Sequence, residues 1–410
     1  MIKIKPEIEH NSNCPYCQSN LQPVQVNWHG MYTYIESQCP RCNSQLLESL
    51  EISHVIDHPY QIDVSKGQIL GDKTAQDHAQ HLLKALENPI PEQLNIEKEI
   101  FKSNKQVILL NCLDFWYGHC LLKLLNAQRH LDSHPSYGLV VIIPSFLRWM
   151  VPDGVAEIWT VPIPLKQGLG YYPSFSEFVS AELKRFDEVY VSKAHSHPSQ
   201  FDVTRFTQVP KHRFDQDKEI QITYIWREDR LWFDNESGWT SFIFRVLKKL
   251  KIHKPIVILQ NWRVRQLLSQ LRMSIPFSKF AVAGLGKQTK FPSWIEDFRV
   301  DKFDEKSERG LCKIYSESRL VIGRHGSNML LPSGHAGMTL DLMPDGRWNN
   351  LAQDILYQET DPRIASLRYR YIPLHTNLNR IASIASKMVL RYSHLHAQMI
   401  ADQQRKNNFK

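Results

Sequence analysis

From residue 105 onward the chain repeats one pattern: a short apolar run rich in β-formers, a polar or glycine break, then a helical segment. The first half runs QVILLNCL (106–113), LLKLLNAQRHL (121–131), GLVVIIP (138–144), AEIWTV (156–161) and EVYVSKA (188–194). After the polar stretch PKHRFDQDKEI the pattern restarts with QITYIWRED (221–229), WTSFIFRVLKKLKI (239–252), PIVILQNW (255–262), SKFAVAGLGK (278–287) and FRVDKF (298–303). WTSFIFRVLKKLKI, RQLLSQLRM and KSERGLCKIYSES read as helices, and the other runs of this half as strands. Such alternation predicts α/β architecture with mostly parallel sheets. Two successive halves predict two Rossmann-like domains facing one cleft.

The first fifty residues stand apart. CPYC supplies Cys14 and Cys17, and CPRC supplies Cys39 and Cys42. Two CxxC turns separated by a hairpin's length of chain predict a closed four-sulfur shell for structural Zn2+. PVQVNWHGMYTYIES (23–37) alternates as that hairpin, with His29-Gly30 at its turn. The reading is therefore a β zinc ribbon (1–50), a connector with one helix (51–104), two Rossmann-like domains (105–215 and 216–375), and a C-terminal helix and tail (376–410).

The chain has 410 residues, 42% of them hydrophobic and 22% charged, the balance of a folded globular protein. Its 50 Lys+Arg against 42 Asp+Glu give +8, a surplus that suits an anionic ligand, nucleic acid or an acidic surface without choosing among them. No run approaches the ~18 apolar residues of a membrane span, and no export signal is evident, so a cytoplasmic location is expected.

In open α/β sheets ligands bind beyond the carboxyl ends of strands, so the polar residues after each run are the candidates. After Leu320–Ile322 comes Gly323-Arg324-His325-Gly326-Ser327-Asn328. Its glycines allow close approach or positive φ, Ser327 suits a helix N-cap, and Arg324 adds fixed charge. The alternative is a tight turn with Arg324 solvated and His325 packed. Arg227 and Arg230 offer forked donors to a diphosphate, or form a surface ion-pair cluster with Glu228 and Asp229. Asp114 and His119 sit at a strand-to-helix break as candidates for a general base, or as a helix cap with a buried histidine. His195 and His197 read as a loop, Gly284-Leu285-Gly286 as a base-edge loop, and WRVRQLLSQLR as a solvated face.

SESRLVIGRHGSNMLLPSGHAGMTLDLMP (316–344) resembles the carboxyl-terminal motif of GT-B glycosyltransferases of the plant-xylosyltransferase-like and fucosyltransferase-like groups. There a strand enters a Gly-x-His-Gly-Ala/Ser turn, followed by a helix and an apolar strand with an acidic residue and a proline. The matching positions are Gly323, His325, Gly326, Ser327, Asp341 and Pro344. WYGHCLLKLL resembles that group's amino-terminal histidine turn. IWREDR is similar in placement to its arginine motif but lacks the His-x-Arg start.

The resemblance implies a GT-B-like fold and metal-independent transfer of a hexosyl or pentosyl group. The donor would be a nucleotide-sugar, the acceptor a glycan or other hydroxyl compound, in polysaccharide biosynthesis. Arg227, Arg230, Arg324 and the amides of Gly326, Ser327 and Asn328 would stabilise the departing diphosphate. His119, or else Asp114, would deprotonate the acceptor, and Asp341 would touch ribose or acceptor. No catalytic metal is expected, and the zinc ribbon would offer an acceptor or partner surface. The rivals are a polysaccharide pyruvyl transferase of the same fold and a non-catalytic zinc-ribbon adaptor for nucleic acid. Scattered basic residues without an aromatic stripe make nucleic acid the weaker expectation.

Overall fold

The computed structural model describes residues 1–198, 200–216, 219–233, 242, 246, 254–356, 359 and 361–407. The chain forms two compact units, Met1–Phe206 and Thr207–Lys410.

The first unit holds β1 (Ile2–Lys5), β2 (Gln22–Trp28), β3 (Thr33–Gln38), β4 (Gln45–Ser49), β5 (Gln61–Asp63) and β6 (Gln68–Leu70). Next in sequence are β7 (Glu97–Ile100), β8 (Gln106–Asn111), β9 (Gly138–Pro144), β10 (Glu157–Val161) and β11 (Glu188–Val191). One sheet has the order β1-β11-β8-β9-β10-β7: four inner parallel strands with antiparallel edges β1 and β7. Strands β8, β9 and β10 are buried almost throughout, as parallel strands covered on both faces must be.

The five-stranded meander β2–β6 is the cysteine-bearing module. It does not stop at residue 50: β5 and β6 fall within the expected connector, and helix Lys73–Glu87 packs Ala75, Ala79 and Leu82 against Tyr32, Tyr60 and Ile62. Asp72 caps that helix by accepting from Ala75 N at 2.8 Å. The module docks on the α/β part of the same unit. Asn111 Nδ2, at the end of β8, donates to Gly30 O at 2.6 Å, and Ser53 N donates to Lys193 O at 2.7 Å.

The second unit holds β12 (Gln221–Arg227), β13 (Lys279–Leu285), β14 (Ile295–Val300), β15 (Ser318–Arg324), β16 (Met338–Met343) and β17 (Tyr369–Pro373). Their order is β14-β13-β12-β15-β16-β17 with every pairing parallel, which is the 3-2-1-4-5-6 order of a doubly wound sheet. Helices Lys254–Ser274 and Leu378–Asn407 contribute Val264, Leu268, Ala385 and Met388 to one core with Ile222, Ile322 and Leu340.

One expected strand is a helix. PIVILQNW opens the 21-residue helix Lys254–Ser274, because its apolar pattern continues through Val264, Leu267, Leu268 and Leu271 at helical spacing. A short apolar run alone does not distinguish the two states. The expected helix WTSFIFRVLKKLKI lies outside the described residues except for Phe242 and Val246. No helix among the described residues is long and apolar enough to cross a membrane.

Gly284, near the end of β13, has φ +125°, and a Cβ there would stand 2.1 Å from Trp226 O of β12. Gly284→Ala should therefore lower stability by about 3 kcal/mol or more in chemical denaturation. A loss below about 1 kcal/mol would contradict this β12–β13 packing.

Candidate functional sites

The four cysteines converge. Sγ–Sγ distances are 3.5 Å for Cys14–Cys42, 3.4 Å for Cys17–Cys39 and 3.7 Å for Cys17–Cys42. A tetrahedral zinc with bonds of about 2.3 Å would set these edges near 3.8 Å, so the residues fit the ion. The two knuckles are alike in backbone. Gln18 N donates to Cys14 O and Asn43 N to Cys39 O, each at 2.9 Å, and both Gln18 and Asn43 take positive φ. With zinc bound, four thiolates would fill the shell and leave no open coordination position, as suits a structural ion. Cys39→Ser should reduce bound zinc well below one ion per chain and lower the first unit's melting temperature. Zinc content unchanged by elemental analysis would refute the ligand set.

A second group lies at the carboxyl end of β8. Asp114 is buried and surrounded by donors: Lys123 Nζ at 2.8 Å, His119 Nδ1 at 3.1 Å, Trp116 N at 3.2 Å and His54 Nε2 at 3.3 Å. Burial would raise its pKa, but the Lys123 charge and the histidine hydrogen bonds hold it well below the usual carboxylate range. Helix Tyr117–Leu124 carries both His119 and the buried Lys123, whose Nζ also donates to Leu113 O at 2.8 Å. Half-exposed His119 sets its Nδ1 against Asp114, so the carboxylate fixes the orientation of the ring.

His54 and Lys123 escaped the sequence reading. His54 arrives from the module, more than fifty residues away in sequence; Lys123 did leave a signal, a lone lysine inside CLLKLL. His195 and His197 belong to none of the metal-competent clusters among the described residues. Lys123→Met would strand a buried carboxylate and should cost about 3 kcal/mol or more in urea denaturation. A cost under about 1 kcal/mol would show that Asp114 does not depend on this partner.

The third group lies at the carboxyl ends of β12, β15 and β16, where strand order reverses. Arg227 forks onto Asp229 through two 2.7 Å hydrogen bonds, and its guanidinium lies 5.5 Å from the Phe303 ring centre. Arg230 reaches the turn after β15: its Nη1 is 3.5 Å from Asn328 Oδ1, and a Cβ on Gly326 would be 2.1 Å from that same nitrogen. Gly326 has φ +140°, so this approach requires glycine. Asn328 Nδ2 in turn donates to Arg324 O at 3.0 Å. Burial lowers the Arg230 pKa, and repulsion from Arg227, Arg324 and Arg347 adds to the effect, with Asp229 opposing it. Four arginines thus share one neighbourhood. Arg347, from the turn Asp345–Asn350 after β16, was not foreseen.

Several expectations change here. Ser327 makes no side-chain cap; it begins a single 3-10 turn, Ser327–Met329, and the helix after it, Leu330–His335, has only six residues. Arginines, rather than a helix dipole, therefore supply the positive field. Gly323 serves core packing, since a Cβ there would stand 2.5 Å from Met329 Sδ and 2.9 Å from Ile225 Cβ. Arg324 is buried, not solvated. Asp341 is fully buried, and its Oδ2 bonds His325 Nδ1 at 3.1 Å and Tyr369 Oη at 2.8 Å, so its described partners are side chains of the fold. The 284–288 loop is filled by Glu228, which accepts from Gln288 N at 2.9 Å and lies against Gly286, leaving no base-edge opening there.

Fold and sites together define an α/β protein with a doubly wound parallel sheet, an arginine-lined strand-end site and a four-cysteine metal module. No family model and no curated protein matches the chain. Among solved structures it is similar to the E. coli ADP-heptose LPS heptosyltransferase II, with TM-score 0.40 and 10% identity over 70% of this chain and 99% of that one. It is also similar to the E. coli heptosyltransferase WaaC with ADP, with TM-score 0.36 and 9% identity over 69% and 99%. Likeness this remote leaves function to be argued from the sites themselves.

Proposed function

We propose that the protein is a glycosyltransferase that moves a sugar from a nucleoside-diphosphate donor to a hydroxyl acceptor such as a glycan. The observation that carries the reading is the convergence of Arg227, Arg230, Arg324 and Arg347 at the switch point of the β12–β17 sheet. Crevices at such points bind nucleotides, and clustered guanidiniums suit the forked oxygens of a diphosphate.

The chemistry follows from charge. As the bond between the anomeric carbon and the diphosphate oxygen breaks, negative charge builds on the leaving group. Pre-placed arginines stabilise that charge without reorganising. The acceptor oxygen forms the new bond to carbon, and its proton passes to His119 Nε2, with Asp114 holding the imidazole. In this scheme side chains supply the cations, and the zinc module keeps its structural part.

A thermal-shift screen of ADP-, GDP-, UDP- and CMP-sugars against phosphoenolpyruvate and duplex DNA tests the reading. At least one sugar nucleotide should raise the melting temperature. Arg230→Ala should then weaken its binding about tenfold or more while moving the unliganded melting temperature only slightly. Binding of phosphoenolpyruvate alone would indicate a pyruvyl transferase, and salt-steep binding of DNA alone an adaptor; either outcome overturns the proposal.

A further inference from the structure

Behind the arginine turn lies a buried polar cluster that the reaction scheme leaves unused. His325, 4% exposed, directs Nδ1 toward two carboxylates at once: Asp341 Oδ2 at 3.1 Å and Asp354 Oδ2 at 3.0 Å. Each carboxylate is fixed from β17. Tyr369 Oη donates to Asp341 at 2.8 Å, and Tyr371 Oη donates to Asp354 at 2.8 Å. The backbone of His325 is pinned as well, its N donating to Leu342 O at 3.0 Å. These three side chains have the donor types of a cation site. Yet the ring nitrogen stands at hydrogen-bond distance from both carboxylates, with Tyr369 on the same Asp341 oxygen and Tyr371 on the other oxygen of Asp354, so that both carboxylates are held against the imidazole.

We propose that Asp341, Asp354, Tyr369 and Tyr371 are positioning residues that keep His325 doubly protonated, so that its Nε2–H donates to a phosphate oxygen of the departing diphosphate. The inference rests on the anion-site reading above. A neutral imidazole donating from Nδ1 would turn a bare Nε2 lone pair to the ligand and repel a phosphate oxygen; the second proton converts that acceptor into a charge-assisted donor. His325 occupies the place between Arg324 and Gly326, within the turn that Arg230 touches.

The groups facing His325 are Asp341 from β16, Asp354 from the segment after Leu351, and Tyr371 from β17, whose ring centre is 6.0 Å away; Tyr369 acts through Asp341. Burial by itself would lower the His325 pKa, but its bonds to the two aspartates and their charge push it up to about 9. Burial and the Asp354 charge push Asp341 well above the carboxylate range. Asp354, despite its own burial, is held low by its bonds to His325 and Asp341. At neutral pH the cluster therefore carries an imidazolium paired with the ionised Asp354. Since the folded pKa of His325 lies above its ordinary value, the donor is present at neutral pH and is lost as pH rises through about 9.

The test measures two quantities between pH 6.5 and 10: the His325 imidazole titration by NMR of histidine-labelled protein, assigned with His325→Gln, and the affinity for ADP, GDP and UDP by calorimetry. The terminal phosphate of these nucleotides titrates near 6, outside the decisive range. In the unaltered protein the imidazole should titrate near 9, and affinity for a nucleotide that binds should fall at least threefold across the same interval. Asp354→Asn should move both transitions down by at least one pH unit. Tyr371→Phe, a milder change should Asp354→Asn fail to fold, should move both in the same direction by less. An imidazole that titrates near 6.5, or one that titrates near 9 while affinity stays flat in a protein that binds nucleotide, overturns this inference alone. Failure of every nucleotide to bind overturns the anion-site reading and this inference with it.

Discussion

The reversal of strand order between β12 and β15 is the constraint on which the rest of the second unit depends. Neighbouring parallel strands whose crossovers leave in opposite directions open a crevice at their carboxyl ends. The six parallel strands of this sheet point their ends the same way, so residues far apart in sequence are delivered to one edge. Arg227 and Arg230 leave β12, Arg324 leaves β15 and Arg347 follows β16. Burial lowers the pKa of Arg230, and repulsion from the neighbouring guanidiniums adds to that cost. Under the proposed function the diphosphate would offset that cost.

Both units also use a buried carboxylate to orient a histidine, with different consequences. Asp114 lies against Nδ1 of His119, and its charge is answered by Lys123. Asp354 is ion-paired with His325 itself and shares that ring with Asp341. In the proposed scheme the same side-chain types would give an acceptor in one unit and a donor in the other, because the neighbouring charges differ. The cysteine module takes part in the first of these arrangements through His54, on the segment that follows its β4 strand, and separately reaches the end of β8, where Gly30 O accepts from Asn111. It is built into the strand-end region of its own unit.

Much of this was legible in the sequence for a physical reason. Parallel strands buried on both faces are written as continuous apolar runs, and the polar residues that end them mark the strand ends; that is where Asp114, His119, Arg227, Arg230 and the 323–328 turn lie. Paired CxxC turns carry their geometry locally, so the convergence of the four cysteines was equally plain. The sequence could not reveal partners that arrive through tertiary contact. Asp354, Tyr369, Tyr371, Arg347 and His54 lie in segments whose local pattern holds no sign of where they dock. Local chemistry also misled at Gly323, where glycine makes room for Met329, and at Ser327, whose hydroxyl caps no helix. PIVILQNW misled because apolarity alone has no period.

The most direct test of the central claim is a crystal structure with a nucleoside diphosphate bound. The account predicts the diphosphate beyond the carboxyl ends of β12 and β15, with phosphate oxygens within hydrogen-bond distance of Arg230 and of the 324–328 turn. A diphosphate held elsewhere on the protein, out of reach of Arg230 and Arg324, would contradict it.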